Sequence, residues 1–96
     1  MSDPPYTVRV AATAVHELNR LSEDEQEEVL TWLQQLAWTP LPGGRSGVIR
    51  MRGRAADGQP LYYSRTARFG VYHSVSEREV FILLLLARPQ LDTTSP

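Results

Sequence analysis

The run VFILLLLA, residues 80–87, most narrows what this chain can become. Eight consecutive apolar residues leave no polar face, so the segment suits an interior strand of a sheet covered on both sides. It is too short for a membrane span, which needs about 20 residues as a helix. The N-terminal MSDPPYTV has no charged region followed by an apolar one, so it does not read as a secretory signal. With 96 residues, 42% of them hydrophobic, the chain has material for one core. Residues 1–96 are therefore expected to form one domain, with its core in 6–88 and a loose tail over 89–96. The chain has no cysteine. That excludes disulfides, thiolate metal sites and thiol nucleophiles, and suits a reducing, cytoplasmic setting.

Around that strand the order of elements can be read from periodicity. YTVRVAA (6–12) alternates and predicts a first strand. Thr13 is then placed to cap a short helix ending near Leu21, with Ala14, Leu18 and Leu21 at helical spacing. LSEDEQEEVLTWLQQLAW opens with a capping box, Ser22 and Glu25, and continues as a stripe of Val29, Leu33 and Leu36 with Leu30 and Ala37. TPLPGG (39–44) stops that helix. In GVIRMRGR, Val48 shares parity with Arg50, Arg52 and Arg54, which points Ile49 and Met51 to the core and the arginines outward. Asp57-Gly58 signals a turn. LYYSRT and RFGVYHSV read as strands around a break near Thr66-Ala67, and SERE turns into the last strand. The sum is an α+β fold: an N-terminal strand, a helical hairpin, then a mainly antiparallel sheet of three or four further strands with the helices on one face.

Charge is segregated along this order. Residues 17–28 hold six acids against Arg20 alone, whereas residues 45–73 hold six arginines against Asp57 alone. Alternation spaces Arg50, Arg52 and Arg54 at about 6.5 to 7 Å, similar to the phosphates of a nucleic-acid strand. The same arrangement also suits a strand edge kept soluble by charge, and both readings stand. Arg65 and Arg68 add to the basic half, on faces that depend on register. Tyr62, Tyr63 and Tyr72 interleave with the arginines and can stack on unpaired bases, although one of Tyr62 and Tyr63 must face the core. His73 shares parity with Phe69, Val71 and Val75 and reads as half-buried, and His16 reads as a surface residue. Two distant histidines without cysteine make no metal site. GGRSG lacks the lysine and following helix of a phosphate-binding loop, and no cofactor is expected.

With these elements in order, the chain resembles the RelE/ParE superfamily of toxins from toxin-antitoxin modules. The resemblance covers about residues 6–88: YTVRV, the hairpin AVHELNRLSEDEQEEVLTWLQQLAWTPLPGG, the basic strand IRMRGR, the central strand RFGVYHSV and VFILLLLAR. The short hairpin connection looks more like the RelE branch than the ParE-like gyrase inhibitors. The resemblance implies a type II toxin that cleaves mRNA on the ribosome without a metal, in the cytoplasm, with a cognate antitoxin, the ribosome and mRNA as partners. It implies RNA-backbone contacts at Arg50, Arg52 and Arg54 and catalytic roles for Arg68, Tyr72 and Arg88; Arg65, in the same basic half of the chain, is expected to add to the RNA-binding surface. The family's central strand commonly runs Tyr-Arg-apolar-apolar-Tyr, whereas Arg68-Phe69-Gly70-Val71-Tyr72 exchanges the first two types. Arg68 therefore matches in direction only if a bulge restores it. A non-catalytic binding module of the same fold and a gyrase inhibitor remain alternatives.

Overall fold

A computed structural model of the chain describes residues 5–87. The elements are β1 (Thr7–Val10), α1 (Ala12–Asn19), α2 (Glu23–Trp38), β2 (Ile49–Arg54), β3 (Pro60–Arg65), β4 (Phe69–Ser76) and β5 (Glu79–Ala87). The five strands form one sheet in the order β1-β5-β4-β3-β2. β1 runs parallel to β5, and the remaining neighbours are antiparallel. The architecture is α+β as expected, with four strands after the helices.

The helices show why local sequence settles some boundaries and not others. At α2 the Ser22 hydroxyl accepts from the Glu25 N–H while the Glu25 carboxylate accepts from the Ser22 N–H, so both halves of the capping box form. Val29, Leu33 and Leu36 are buried beneath it, but Leu30 lies exposed, so the apolar stripe is narrower than the sequence suggests. α1 begins one residue before the expected Thr13 cap. Ala11 stands at its N-cap without a side-chain bond, because β1 passes straight into the helix. The Ala11 N–H goes to the Ile82 carbonyl, and the Ala11 carbonyl accepts from Val15. Thr13 sits inside the first turn, and its hydroxyl donates to the Leu83 carbonyl.

β5 lies inside the sheet, yet only one of its faces is covered. Tyr72 pairs with Leu84 but His73 pairs with Ile82, so Leu83 is an extra residue in a bulge. That slip lets Ile82 and Leu85, three apart, both turn into the core while Leu84 and Leu86 reach the other face and stay exposed. The expectation of cover on both sides is corrected accordingly. Directly paired residues share a face, which fixes two rows. Arg50, Tyr62, His73 and Ile82 belong to the helix side, and Ile49, Tyr63, Tyr72 and Leu84 to the open side.

The inward placing of Ile49 and Met51 is also overturned. Ile49 is 55% exposed on the open face, and Met51 is only half-buried. Val48 is the buried residue of this stretch, and Arg50 follows it on the same side. The arginine still reaches water, because β2 is the edge strand and the helices do not extend over it.

Candidate nucleic-acid interface

β2 carries Arg50, Arg52 and Arg54 along the free edge of the sheet, all three exposed. Pairing with β3 slips between Arg50 and Arg54, so the strand is irregular where the arginines stand. The Arg50 guanidinium lies 6.0 Å from the centroid of the Tyr62 ring, and Arg54 Nη1 donates to the Gly58 carbonyl at 2.9 Å across the hairpin turn. Among the described residues, no carboxylate pairs with Arg50, Arg52, Arg54 or Arg65. An edge strand with uncompensated guanidiniums can follow a phosphate backbone by charge and by bidentate hydrogen bonds.

Beside this edge the open face presents aromatic rings. Tyr63 and Tyr72 are directly paired, with ring centroids 4.9 Å apart and planes tilted by 52°. The Tyr63 ring lies across Gly70, where an added Cβ would come within 2.7 Å of its hydroxyl. Gly70 thus makes room for Tyr63 to lie flat on the sheet. Arg65, paired with Gly70, joins Gly47, Ile49 and Tyr63 around a shallow cleft of about 550 Å³. The sequence-predicted residues therefore divide. Tyr72 and Arg65 share the open face, whereas Arg50 is on the helix side of the rim. What joins them is the β2 edge itself.

Arg68 is placed differently from both groups. It stands in the bend between β3 and β4, outside the paired residues; the β3–β4 pairing has no register shift, so no bulge restores it to the place of the motif's arginine, and its side chain turns to α2 instead. Its Nε donates to Glu28 Oε1 at 2.7 Å, and its backbone N–H donates to Glu28 Oε2 at 3.1 Å. The Thr66 hydroxyl donates to the same carboxylate. The Thr66 bond, aided by those from Arg68, holds the Glu28 carboxyl below the ordinary carboxylate range, and the Glu28 bond in turn raises the pKa of Arg68. One acid of α2 thus fastens the β3–β4 turn. Nothing in the acidic run marked Glu28 out, since its partner lies forty residues away.

His73 is fully buried rather than half-buried. Its Nε2–H donates to the Pro40 carbonyl at 2.8 Å, its ring stacks on Tyr62 at 5.5 Å, and Nδ1 has no partner. Burial lowers its pKa, which keeps the ring neutral and fits a packing role on the helix side. Trp32 Nε1–H donates to Ser64 Oγ at 2.8 Å and ties α2 to β3, a contact that sequence pattern did not signal. Arg88 lies outside the described residues. Among the described residues no cluster of three or more histidine or carboxylate side chains could hold a metal ion, and no helix is long and apolar enough to cross a membrane.

No family model matches this sequence, and no curated protein matches it in sequence. Solved structures do. The chain is similar to a chain of the archaeal RelE-RelB complex from Pyrococcus horikoshii, with a TM-score of 0.72 and 25% identity over 90% of this chain and 98% of that one. It is also similar to a chain of the toxin-antitoxin complex RelBE2 from Mycobacterium tuberculosis, with a TM-score of 0.68 and 22% identity over 88% and 99% of the two chains.

Proposed function

From the RelE-like toxin fold of this chain, we propose that it is the toxin of a toxin-antitoxin pair and acts as a ribosome-dependent mRNA endonuclease. The observation that carries this reading is the free β2 edge of Arg50, Arg52 and Arg54, without carboxylate partners among the described residues, beside the Tyr63–Tyr72 pair. The arginines hold the mRNA backbone, with Arg65 adding charge at the open-face cleft. Positioning of this kind brings a ribose 2′-hydroxyl in line with the adjacent phosphate, and fixed cations stabilise the charge that develops there. The Tyr72 hydroxyl, on the same face as Arg65, donates a hydrogen bond to the departing 5′-oxygen, while the 2′-hydroxyl gives its proton to water and the 5′-oxygen takes one from water as the P–O5′ bond breaks. Arg88, the residue after β5, supplies a second cation to the phosphate. Arg68 acts through position: with Glu28 it sets the turn that leads into β4 and so fixes Tyr72. A cognate antitoxin that covers the arginine edge would silence the protein.

The test is to map mRNA ends in a cell-free translation reaction with and without the protein. Cuts inside codons, dependent on ribosomes and lost in the Arg50→Gln, Arg52→Gln, Arg54→Gln variant, are expected. Intact mRNA with undiminished translation would overturn the reading. A second reading rests on the Glu28–Arg68 clamp, which engages a guanidinium that catalysis would need: the chain is then a binding module without nuclease activity. Stable capture of a partner without any effect on mRNA would favour it.

A further inference from the structure

At the end of the sheet where β1 and β5 begin, a cleft of about 690 Å³ opens between the end of α2, the 39–46 loop and the β4–β5 turn. It lies apart from the open-face cleft at Arg65 and has no part in the chemistry described above. Its walls include Trp38, Arg45 and Arg78, and among the described residues no carboxylate lines it. Trp38 is 59% exposed, the largest fraction among the large hydrophobics of the described residues. The Arg78 guanidinium is seated 4.1 Å from the centroid of the Tyr6 ring, which fixes its position on one wall. Arg45 projects from a loop whose glycines, Gly43 and Gly44, hold positive φ with open space around them. An exposed indole in the same cleft as the Arg45 guanidinium offers a stacking surface and a phosphate partner at once.

The cleft is also joined to the arginine edge by direct contacts. Arg50 lies against Tyr62, Tyr62 stacks on His73, and His73 bonds to the carbonyl of Pro40, a residue of the cleft wall. Cleft and edge are therefore on the same side of the sheet.

We infer that this cleft is a second RNA-contact site, which stacks an unpaired base on Trp38 and holds a flanking phosphate with Arg45. It extends the strand bound along β2, and so rests on the proposed RNA-directed function. An aromatic platform beside a basic side chain is the arrangement that binds single strands without reading sequence. An acidic peptide would use Arg45 but would leave the indole without a planar partner.

Binding of a uridine oligomer of about eight nucleotides, within the usual span of such sites, is measured by fluorescence anisotropy at several salt concentrations. The Trp32→Phe, Ser64→Ala background leaves Trp38 as the only tryptophan, so its quenching reports the cleft directly. RNA is expected to quench Trp38. Trp38→Ala should weaken binding about tenfold, within the range of one lost base stack. Arg45→Gln should lower the salt slope by about 0.7, as for one phosphate on a single strand. Binding by both variants equal to the unaltered protein would overturn the inference while leaving the β2 edge in place. So would quenching by polyglutamate but not by RNA. If instead the triple β2 arginine variant binds and inhibits translation normally while Trp38→Ala does not, the cleft stands and the assignment of the edge falls.

Discussion

The Trp32–Ser64 hydrogen bond is the best place to test how α2 is held to the sheet. Ser64 is 1% exposed, and its hydroxyl accepts from the indole N–H at 2.8 Å. Ser64→Ala removes the acceptor and strands the N–H of a half-buried ring that water partly reaches, which costs about 1–2 kcal/mol. Trp32→Phe strands the deeply buried hydroxyl and also removes part of a packed ring, for about 2–4 kcal/mol. In the double variant neither polar group is left without its partner, because both are gone. Its cost should therefore fall short of the summed single costs by about 1–2 kcal/mol. Urea unfolding followed by far-ultraviolet circular dichroism measures all four proteins without relying on the tryptophan that changes. At this chain length each kcal/mol corresponds to about 4–8 °C in Tm, so thermal melts give an independent reading. Costs that add to within about 0.5 kcal/mol would refute the argument, since independent sites behave that way.

Other perturbations follow from the same geometry. Burial lowers the His73 pKa below its ordinary 6.5, so its contribution to stability is present above that value and is lost as pH falls through the depressed folded one. His73→Gln should flatten the acid limb of a Tm-against-pH curve, and an unchanged limb would sink the assignment. Glu28 is likewise held below 4.5, chiefly by Thr66 with help from Arg68, so its contribution is present above 4.5 and lost at lower pH. Glu28→Gln should speed hydrogen exchange at the Arg68 amide, and undiminished protection would show that the turn needs no clamp. Gly70→Ala puts a methyl where the Tyr63 ring lies, so it should cost about 1–3 kcal/mol as overpacking and shift the near-ultraviolet signal of the Tyr63–Tyr72 pair. An unchanged spectrum would mean that the rings do not depend on that contact.

What the sequence disclosed was the local part of the fold. The capping box at Ser22 and Glu25, the stop at Pro40 and the turns at Asp57-Gly58 and Glu77-Arg78 involve residues within a few positions of one another, and all are present. Parity along β2 correctly grouped Val48 with Arg50, but parity says which residues share a side and not which side is covered. At an edge strand beyond the helices, a residue can be on the core side and still face water, as Arg50 does. The Leu83 bulge was illegible for a related reason. A run of leucines reads the same in either register, and only pairing with β4 shows where the extra residue falls. Glu28–Arg68, Trp32–Ser64 and His73–Pro40 join residues more than thirty apart, so no pattern in a window could find them.

Whether three arginines on an edge serve binding or only solubility can be argued from the other edge of the same sheet. β1 is four residues long and carries one arginine, Arg9, paired with Glu79. That edge is kept from joining other strands by shortness and a neutralised charge. β2 is longer, and the slip between Arg50 and Arg54 already interrupts the regular ladder that another strand would need. One charged residue would complete that protection. Three, without a carboxylate among them, leave mutual repulsion that protection does not require, and a polyanion would relieve it. If the arginines served the edge alone, glutamines at Arg50, Arg52 and Arg54 would change neither the state of association nor RNA binding, because the bulge and the polarity remain. If they hold RNA, the same variant keeps its state of association but binds RNA more weakly and with a smaller salt dependence.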